Sequence, residues 1–363
     1  MKILILNWRD IKHPLAGGAE HVLLKHAAYW SLQGAEVLWF SSSFPSSKGA
    51  ETIDSIRYFR RGSHYTTHLW AVMYYIFGKF GKIDVIVDNF HFIPYFTPLY
   101  ARREKKMAFI HEVAGSVWYE NIQRPFSSIG YYLERYFFKL YRSITFLTVS
   151  DSTRKELIKM SIPDKNIVIL PNGVDPVSVK KSISKEKTPT ILYVGRISKD
   201  KGIYDLFDAF SILVQKRMPI QLWIVGKEEK EGSIKEIINA HPKSSEHITY
   251  FGRVSENQKY ELLKKTWVLI HPSKKEGWGL TIIEAATQGT PAVGYNVEGL
   301  RDSIVDGKTG ILTRPTAEDL ATVISNLLED PQKIEYLGNN AKRWSEKFNW
   351  KTSVKKSWEK INA

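Results

Sequence analysis

What most limits the fold of this chain is a repeated alternation of short apolar runs with helix-length amphipathic segments, written twice around one polar stretch. Residues 2–8 are an apolar run of strand length. A loop with Pro14, Gly17 and Gly18 follows, and residues 19–33 place Val22, Leu23, His26, Ala27 and Trp30 at helical spacing before Gly34 stops the helix. Residues 36–40 are the next strand. Strand, loop, helix and strand in this order form the βα unit of a parallel sheet, because two parallel strands need a crossover of helix length between them. Apolar runs at 83–87, 107–110, 145–149 and within 163–171 continue the pattern.

Residues 176–189, rich in Ser and Lys with Pro at both ends, read as a linker. Beyond them the same grammar restarts. Strands are expected over ILYVG, QLWIVG, ITYFG, VLIHPS and PAVGY, with helices near 202–216, 233–240, 256–265 and 281–288 and a long helical tail. The expected organisation is therefore α/β: a doubly wound parallel-sheet domain over 1–176, a linker over 177–189, and a second such domain over 190–345. Ligands of such sheets sit at the carboxyl ends of the strands, which makes the loops there, and a cleft between the domains, the expected site.

A length of 363 residues accommodates two cores, and 43% hydrophobic with 25% charged residues excludes wholesale disorder. No apolar run reaches the roughly 18 residues of a membrane span. The first residues lack a secretory leader's features, and there is no cysteine, so a cytoplasmic, reducing setting is expected. Lys and Arg number 52 against 38 Asp and Glu, a net charge of +14. Nucleic acid, anionic lipid and phosphorylated small molecules would all gain from that potential.

Four loops carry candidate chemistry. In Glu276-Gly277-Trp278-Gly279-Leu280-Thr281-Ile282-Ile283-Glu284, two glutamates stand eight apart around glycines that let backbone N–H groups approach a ligand at the start of a helix. Either carboxylate can accept from sugar or ribose hydroxyls. Thr281-x-x-Glu284 is equally a capping box, so Glu284 has a structural alternative that Glu276 lacks. In 194–202, Gly195 precedes Arg196 and Lys201 at a strand end, where a guanidinium and an ammonium can clamp a diphosphate or simply be solvated. Gly17 and Gly18 in the first βα loop suit a phosphate or sugar, or a tight turn, without GxGxxG spacing. His111-Glu112 ends another strand and is not HExxH, because residue 115 is Gly. There is no Asp-x-Asp pair to hold a divalent metal, no GxxxxGK[ST] loop and no thiol for zinc, so charge stabilisation falls to Arg, Lys and helix ends.

Taken in order, these segments resemble the family 4 glycosyltransferases. The matching pieces are GGAE after the first strand, HE at 111–112, VSDST at 149–153, PNGVD at 171–175, GR…KG at 195–202, E-x7-E at 276–284, GTP at 289–291, GLRDSIVDGKTGIL, and FNW at 348–350. The resemblance implies the GT-B fold, two Rossmann-like domains facing across a cleft, with residues 346–363 as a helix crossing back to the first. It implies retaining, metal-independent transfer of a hexose from a nucleotide diphosphate sugar, with no cofactor. A UDP- or GDP-linked donor and a glycan or lipid-linked acceptor are the expected substrates, and envelope or exopolysaccharide biosynthesis is the setting expected if the aromatic and basic segments of the chain meet a membrane. On the same likeness, Arg196 and Lys201 hold the diphosphate, Glu284 the ribose and Glu276 the donor sugar, and His111 lies beside the hexose. Gly17, Gly18, Asn172, Gly195, Gly226, Gly277, Trp278, Gly279, Leu280 and Thr281 would line the donor. Trp278 stands where the family more often has Phe.

Aromatic and basic residues are interleaved over 68–80, 101–106 and 131–142, a pattern that suits an anionic membrane interface or a core helix with snorkelling ends. Three other readings compete with the transferase: a GT-B-like sugar nucleotide epimerase, an inactive regulatory homologue, and a basic nucleic-acid binder. The last is disfavoured by the absence of a recognised binding motif.

Overall fold

The computed structural model describes residues 1–363 apart from 176, 178, 180 and 181, so those four positions of the expected linker lie outside the described residues. The chain forms two compact units, Met1–Gly173 with Trp350–Ala363, and Val174–Asn349. Among the described residues no helix is long and apolar enough to cross a membrane.

The first unit runs β1 (Lys2–Leu6), α1 (Gly18–Leu32), β2 (Glu36–Ser41), β3 (Ala50–Ile53), β4 (Ile56–Arg60), α2 (Thr67–Ile76), β5 (Val85–Phe90), α3 (Thr97–Tyr100), β6 (Lys105–Ile110), α4 (Val117–Asn121), α5 (Phe126–Leu140), β7 (Thr145–Thr148), α6 (Asp151–Lys159) and β8 (Ile167–Ile169). Its sheet has the order β3-β4-β2-β1-β5-β6-β7-β8 and is parallel apart from the β3–β4 hairpin. The winding reverses between β1 and β5. Ile3 to Leu6 are all buried, as expected of strands covered by helices on both faces. The hairpin was not legible in the sequence: β3 has no buried residue and lies at the sheet edge, so no apolar run announces it.

Register decides which helices share a face. Leu4 pairs with Ile86 and Leu6 with Asp88, while Asp88 pairs with Ala108 and Phe90 with Ile110, so these residues point to one side of the sheet. Ala71 of α2 packs there with Leu4, Leu6 and Ile86, and Phe138 of α5 with Phe90, Ala108 and Ile110. The helices α2 and α5 therefore cover the same face. On the opposite face His26 of α1 packs on Phe109.

The second unit runs β9 (Thr190–Val194), α7 (Ile203–Gln215), β10 (Gln221–Val225), α8 (Ser233–Ala240), β11 (Ile248–Gly252), α9 (Glu256–Lys265), β12 (Val268–His271), α10 (Leu280–Thr287), β13 (Ala292–Tyr295), α11 (Leu300–Ser303), β14 (Gly310–Thr313), α12 (Ala317–Leu328) and α13 (Pro331–Ser345). All six strands are parallel in the order β11-β10-β9-β12-β13-β14, with the winding reversed between β9 and β12. The end of the expected linker is bound into this unit. Lys185 Nζ donates to the Thr266 carbonyl (2.5 Å) and Thr290 Oγ1 (2.6 Å), and Trp267 Nε1 donates to the Glu186 carbonyl at 2.8 Å.

The last helix, α14 (Trp350–Asn362), belongs to the first unit. It docks on α1 through Ser357, whose hydroxyl lies 2.8 Å from His26 Nδ1 and accepts from Trp30 Nε1 at 2.9 Å. A buried polar contact of this kind fixes which face of α14 meets α1, because any rotation leaves both rings unpaired.

Candidate active site

In doubly wound sheets the loops that diverge at the reversal of winding leave a crevice at the strand ends. In the second unit those loops follow β9 and β12, and the structure brings Lys201 from the first to Glu276 from the second. Lys201 Nζ lies 2.6 Å from Glu276 Oε1. His271, the last residue of β12, donates from Nε2 to the same oxygen at 3.1 Å, leaving Nδ1 to accept from the Thr281 hydroxyl at 3.2 Å. Burial pushes the Glu276 carboxyl up, but the Lys201 ammonium and the His271 hydrogen bond outweigh it and hold the group well below the usual carboxylate range. It is an anion at neutral pH.

Glycine makes this approach possible, and a second close approach beside it. Gly202 opens α7 at φ +69°, and a Cβ there would stand 1.9 Å from the Pro272 carbonyl oxygen. A Cβ on Gly226, at φ +151°, would stand 1.7 Å from the Gly195 carbonyl oxygen. Gly195 and Gly226 thus let the ends of β9 and β10 close together, with the Gly195 N–H donating to Val225 at 3.0 Å. Arg196 projects from this junction with 44% of its side chain exposed and reaches Asp200 at 3.4 Å. Asp200 in turn accepts from Ser198 at 2.6 Å.

The capping-box alternative for Glu284 does not hold. Gly279 caps α10 and Leu280 is its first residue, so Thr281 is already inside the helix with its hydroxyl turned to His271. Glu284 instead meets Lys259 of α9 at 2.9 Å, and Lys259 also reaches Glu256 at 2.8 Å. Burial raises the Glu284 carboxyl further than Lys259 lowers it. Gly277 and Trp278 are buried. The Trp278 ring meets Phe348 edge-on at 5.0 Å, with Trp344 on the other side of Phe348, so the side chain is a wedge in an aromatic cluster.

The first unit carries His111, Gly17, Gly18 and Asn172. Gly17 is the N-cap of α1 with extended backbone, φ −144°. Neither its dihedral nor packing demands glycine, because a Cβ would meet no atom within 4 Å. Gly18 is the first helical residue. Glu20 accepts from the Gly17 N–H at 2.7 Å and pairs with Arg9 at 3.0 Å, while Arg9 donates to the Leu15 carbonyl at 2.8 Å, so the loop is braced from below and open above. His111 follows β6, and burial together with the Arg9 charge lowers it to about 4, a neutral ring at pH 7.

Along the carboxyl ends of β1, β5, β6 and β7, several buried polar atoms have no hydrogen-bond partner among the described residues: both side-chain termini of Asn7, Trp8 Nε1, Asn89 Oδ1, His111 Nε2 and Thr148 Oγ1. Asn172 Oδ1, past β8, is in the same condition. Interiors pair nine in ten such groups or more, so this row at the carboxyl edge of the sheet offers donors and acceptors that a polar ligand or water could meet. Trp8 sits among the rings of His64 (4.3 Å), His13 (5.4 Å) and His91 (5.9 Å), with the Arg9 guanidinium 4.3 Å over it. The sequence reading missed this cluster because its rings come from loops far apart in the chain. The parts taken by His271 and Lys259 carry no local signal either, although His271 closes one of the expected strands.

Two family models match the chain: residues 175–344 fit the family described as glycosyl transferases group 1, and residues 16–177 that described as glycosyltransferase family 4. Among curated relatives, the capsular polysaccharide biosynthesis glycosyltransferase CapM of Staphylococcus aureus is 29% identical over 233 residues, 60% of this chain and 60% of that protein. The chain thus spans less than two thirds of the length of that relative. Among solved structures, sucrose-phosphate synthase from Thermosynechococcus elongatus superposes with a TM-score of 0.81 over 99% of this chain and 98% of its own, at 18% identity. HepE of Anabaena, solved in complex with UDP-glucose, superposes with a TM-score of 0.75 over 100% of this chain and 99% of its own, also at 18% identity. These likenesses show the GT-B fold.

Proposed function

Because the chain belongs to the family 4 glycosyltransferases, we propose that it moves a hexose from a nucleotide diphosphate sugar to a hydroxyl of a glycan or lipid-linked acceptor, in the cytoplasm, with retention and without a divalent metal. The observation that carries this reading is the meeting of Lys201 and Glu276 where the second sheet reverses its winding, with the exposed guanidinium of Arg196 beside it. A cation held by a carboxylate in a glycine-lined crevice is a site prepared for an anion that arrives with hydroxyl groups attached.

On this reading Arg196 and Lys201 bind the diphosphate, and their charge stabilises it as the bond to the anomeric carbon breaks. The acceptor hydroxyl forms the new bond from the same face, and its proton passes to the departing phosphate oxygen. Glu276 accepts from hydroxyls of the hexose and Glu284 from those of the ribose. The neutral His111 ring offers Nε2 to the sugar, and the open loop at Gly17 and Gly18 offers backbone N–H groups. Gly277, Gly279, Leu280 and Thr281 shape the crevice through their backbone, as does Trp278, whose ring is taken up by Phe348. Similarity to CapM favours a polysaccharide of the envelope or one that is exported.

Calorimetric titration with UDP, GDP and ADP in the presence of EDTA tests the reading. The UDP-glucose bound in HepE makes UDP the first to try. Micromolar binding of one nucleotide, lost in Arg196→Ala, is the expected result. A folded protein that binds none of them would overturn it. Conversion of the donor sugar without any acceptor, followed by NMR, would instead indicate an epimerase.

A further inference from the structure

The helix α5 is built inside out. Phe126, Ile129, Leu133, Tyr136 and Leu140 recur at spacings of three and four, which places them in one stripe along the helix, and all five are 41–69% exposed. Its buried side is occupied by Ser127, Gly130, Glu134 and Phe138. Glu134 has a structural duty there, accepting from the backbone N–H groups of Ala114 (2.8 Å) and Gly115 (2.9 Å). Gly130 admits Trp118, since a Cβ would stand 2.3 Å from that ring. The orientation of α5 is therefore locked from inside, and the apolar stripe has no freedom to turn inward.

The stripe is not alone. The helix α2 covers the same face of the first sheet and exposes Leu69, Met73, Ile76 and Phe77. Around both lie exposed cations, Arg124, Arg135, Lys139 and Arg142 at α5, and Lys79, Lys82, Arg102 and Arg103 past α2. The only carboxylate of α5 is the buried Glu134. Soluble proteins rarely leave large apolar side chains exposed in such stripes on two helices of one face.

We infer that this face of the first unit docks on an anionic membrane surface, with the α5 and α2 stripes in the interface and the surrounding cations on the lipid headgroups. Charge selects this occupant. An amphipathic helix lying in the headgroup region needs apolar residues on one side and Lys or Arg at its flanks, which α5 presents by itself and α2 together with the cations of the segments that follow it. A second copy of the chain meeting the same stripe would bring these cations onto a helix face with no carboxylate to receive them. The inference stands independently of the transfer reading, since the vesicle and nucleotide experiments can fail separately.

The test is co-sedimentation of the full chain with phosphatidylcholine vesicles, with and without a third of phosphatidylglycerol, at low and high salt. Binding to the anionic vesicles at low salt, released at high salt, is expected. Replacing Arg135, Lys139 and Arg142 by Ala should weaken it by about fivefold per cation. The pair Ile129→Glu and Leu133→Glu should abolish it, with an unchanged melting profile because both side chains are exposed. Absence of binding to anionic vesicles at low salt would overturn the inference, as would binding that survives both sets of substitutions. So would a dimer in sedimentation equilibrium that Ile129→Glu dissociates while vesicles are ignored.

Discussion

Lys201 pairs with Glu276, and this makes an unusual prediction for Glu276→Gln. A phosphate oxygen accepting from the far side of the Lys201 ammonium would lie about 5 Å from the carboxylate, allowing for the 2.6 Å already between Nζ and Oε1. Two unit charges at that distance repel by about 3 kcal/mol at an effective dielectric near 20. Both side chains keep a fifth or less of their surface exposed. Solvent screening reduces the repulsion to about 1.5 kcal/mol, or roughly tenfold in affinity. Glutamine keeps an oxygen for Lys201 and so preserves its position, but removes the charge. Glu276→Gln should therefore bind nucleoside diphosphate alone about tenfold more tightly while sugar transfer falls, and Lys201→Met should bind it about tenfold or more weakly. Calorimetry with the nucleotide, not the sugar nucleotide, isolates the effect, because no hexose hydroxyl is then lost. Unchanged or weaker nucleotide binding by Glu276→Gln, in a protein that melts normally, would refute the argument that Lys201 is delivered to the diphosphate.

Glu284→Gln should lower nucleotide affinity by roughly tenfold to a hundredfold, the worth of a charged hydrogen bond, without loss of thermal stability at pH 7. The sign follows from its raised carboxyl, whose charged form costs folding free energy above its ordinary range, and from Gly279 and not Glu284 capping α10. Gly202→Ala should destabilise the second unit by at least about 1–2 kcal/mol from its dihedral alone, more from the clash with Pro272, read as a lower urea midpoint for that unit. Acid should loosen the first unit before carboxylates titrate. Burial lowers His26 to about 3, and His13 and His111 to about 4, so between those values and 6.5 the unfolded chain binds more protons than the folded one. Stability is then lost as pH falls, by about 1.4 kcal/mol per pH unit for each of the buried rings His26 and His111, and by less for His13, which solvent screens. Calorimetric melting from pH 7 to 4.5 checks this, and a flat first-unit transition over that range would contradict it.

The two-unit α/β architecture was legible because it depends on local pattern. Apolar runs such as ILYVG and QLWIVG bury on both sides wherever they pair, and helix length between them forces parallel neighbours. The candidate loops were legible for the same reason, since a loop that follows a strand in such a sheet must emerge at its carboxyl end. Partners were another matter. Thr281-x-x-Glu284 satisfies a capping rule, yet the helix is capped two residues earlier, by Gly279, and Glu284 turns to Lys259, 25 residues away in sequence. Trp278 stands among glycines in a ligand loop, yet its ring finds Phe348. The row of unpaired atoms from Asn7 to Thr148 exists only because strand order β1-β5-β6-β7 aligns four distant segments. The sequence by itself determined periodicity, and with it the elements, the sheets and the ends at which chemistry collects. Only the tertiary structure decided which charge meets which and which helix face is left outside, because both depend on register and on side chains brought together across the chain, a long-range matter that no local spacing encodes.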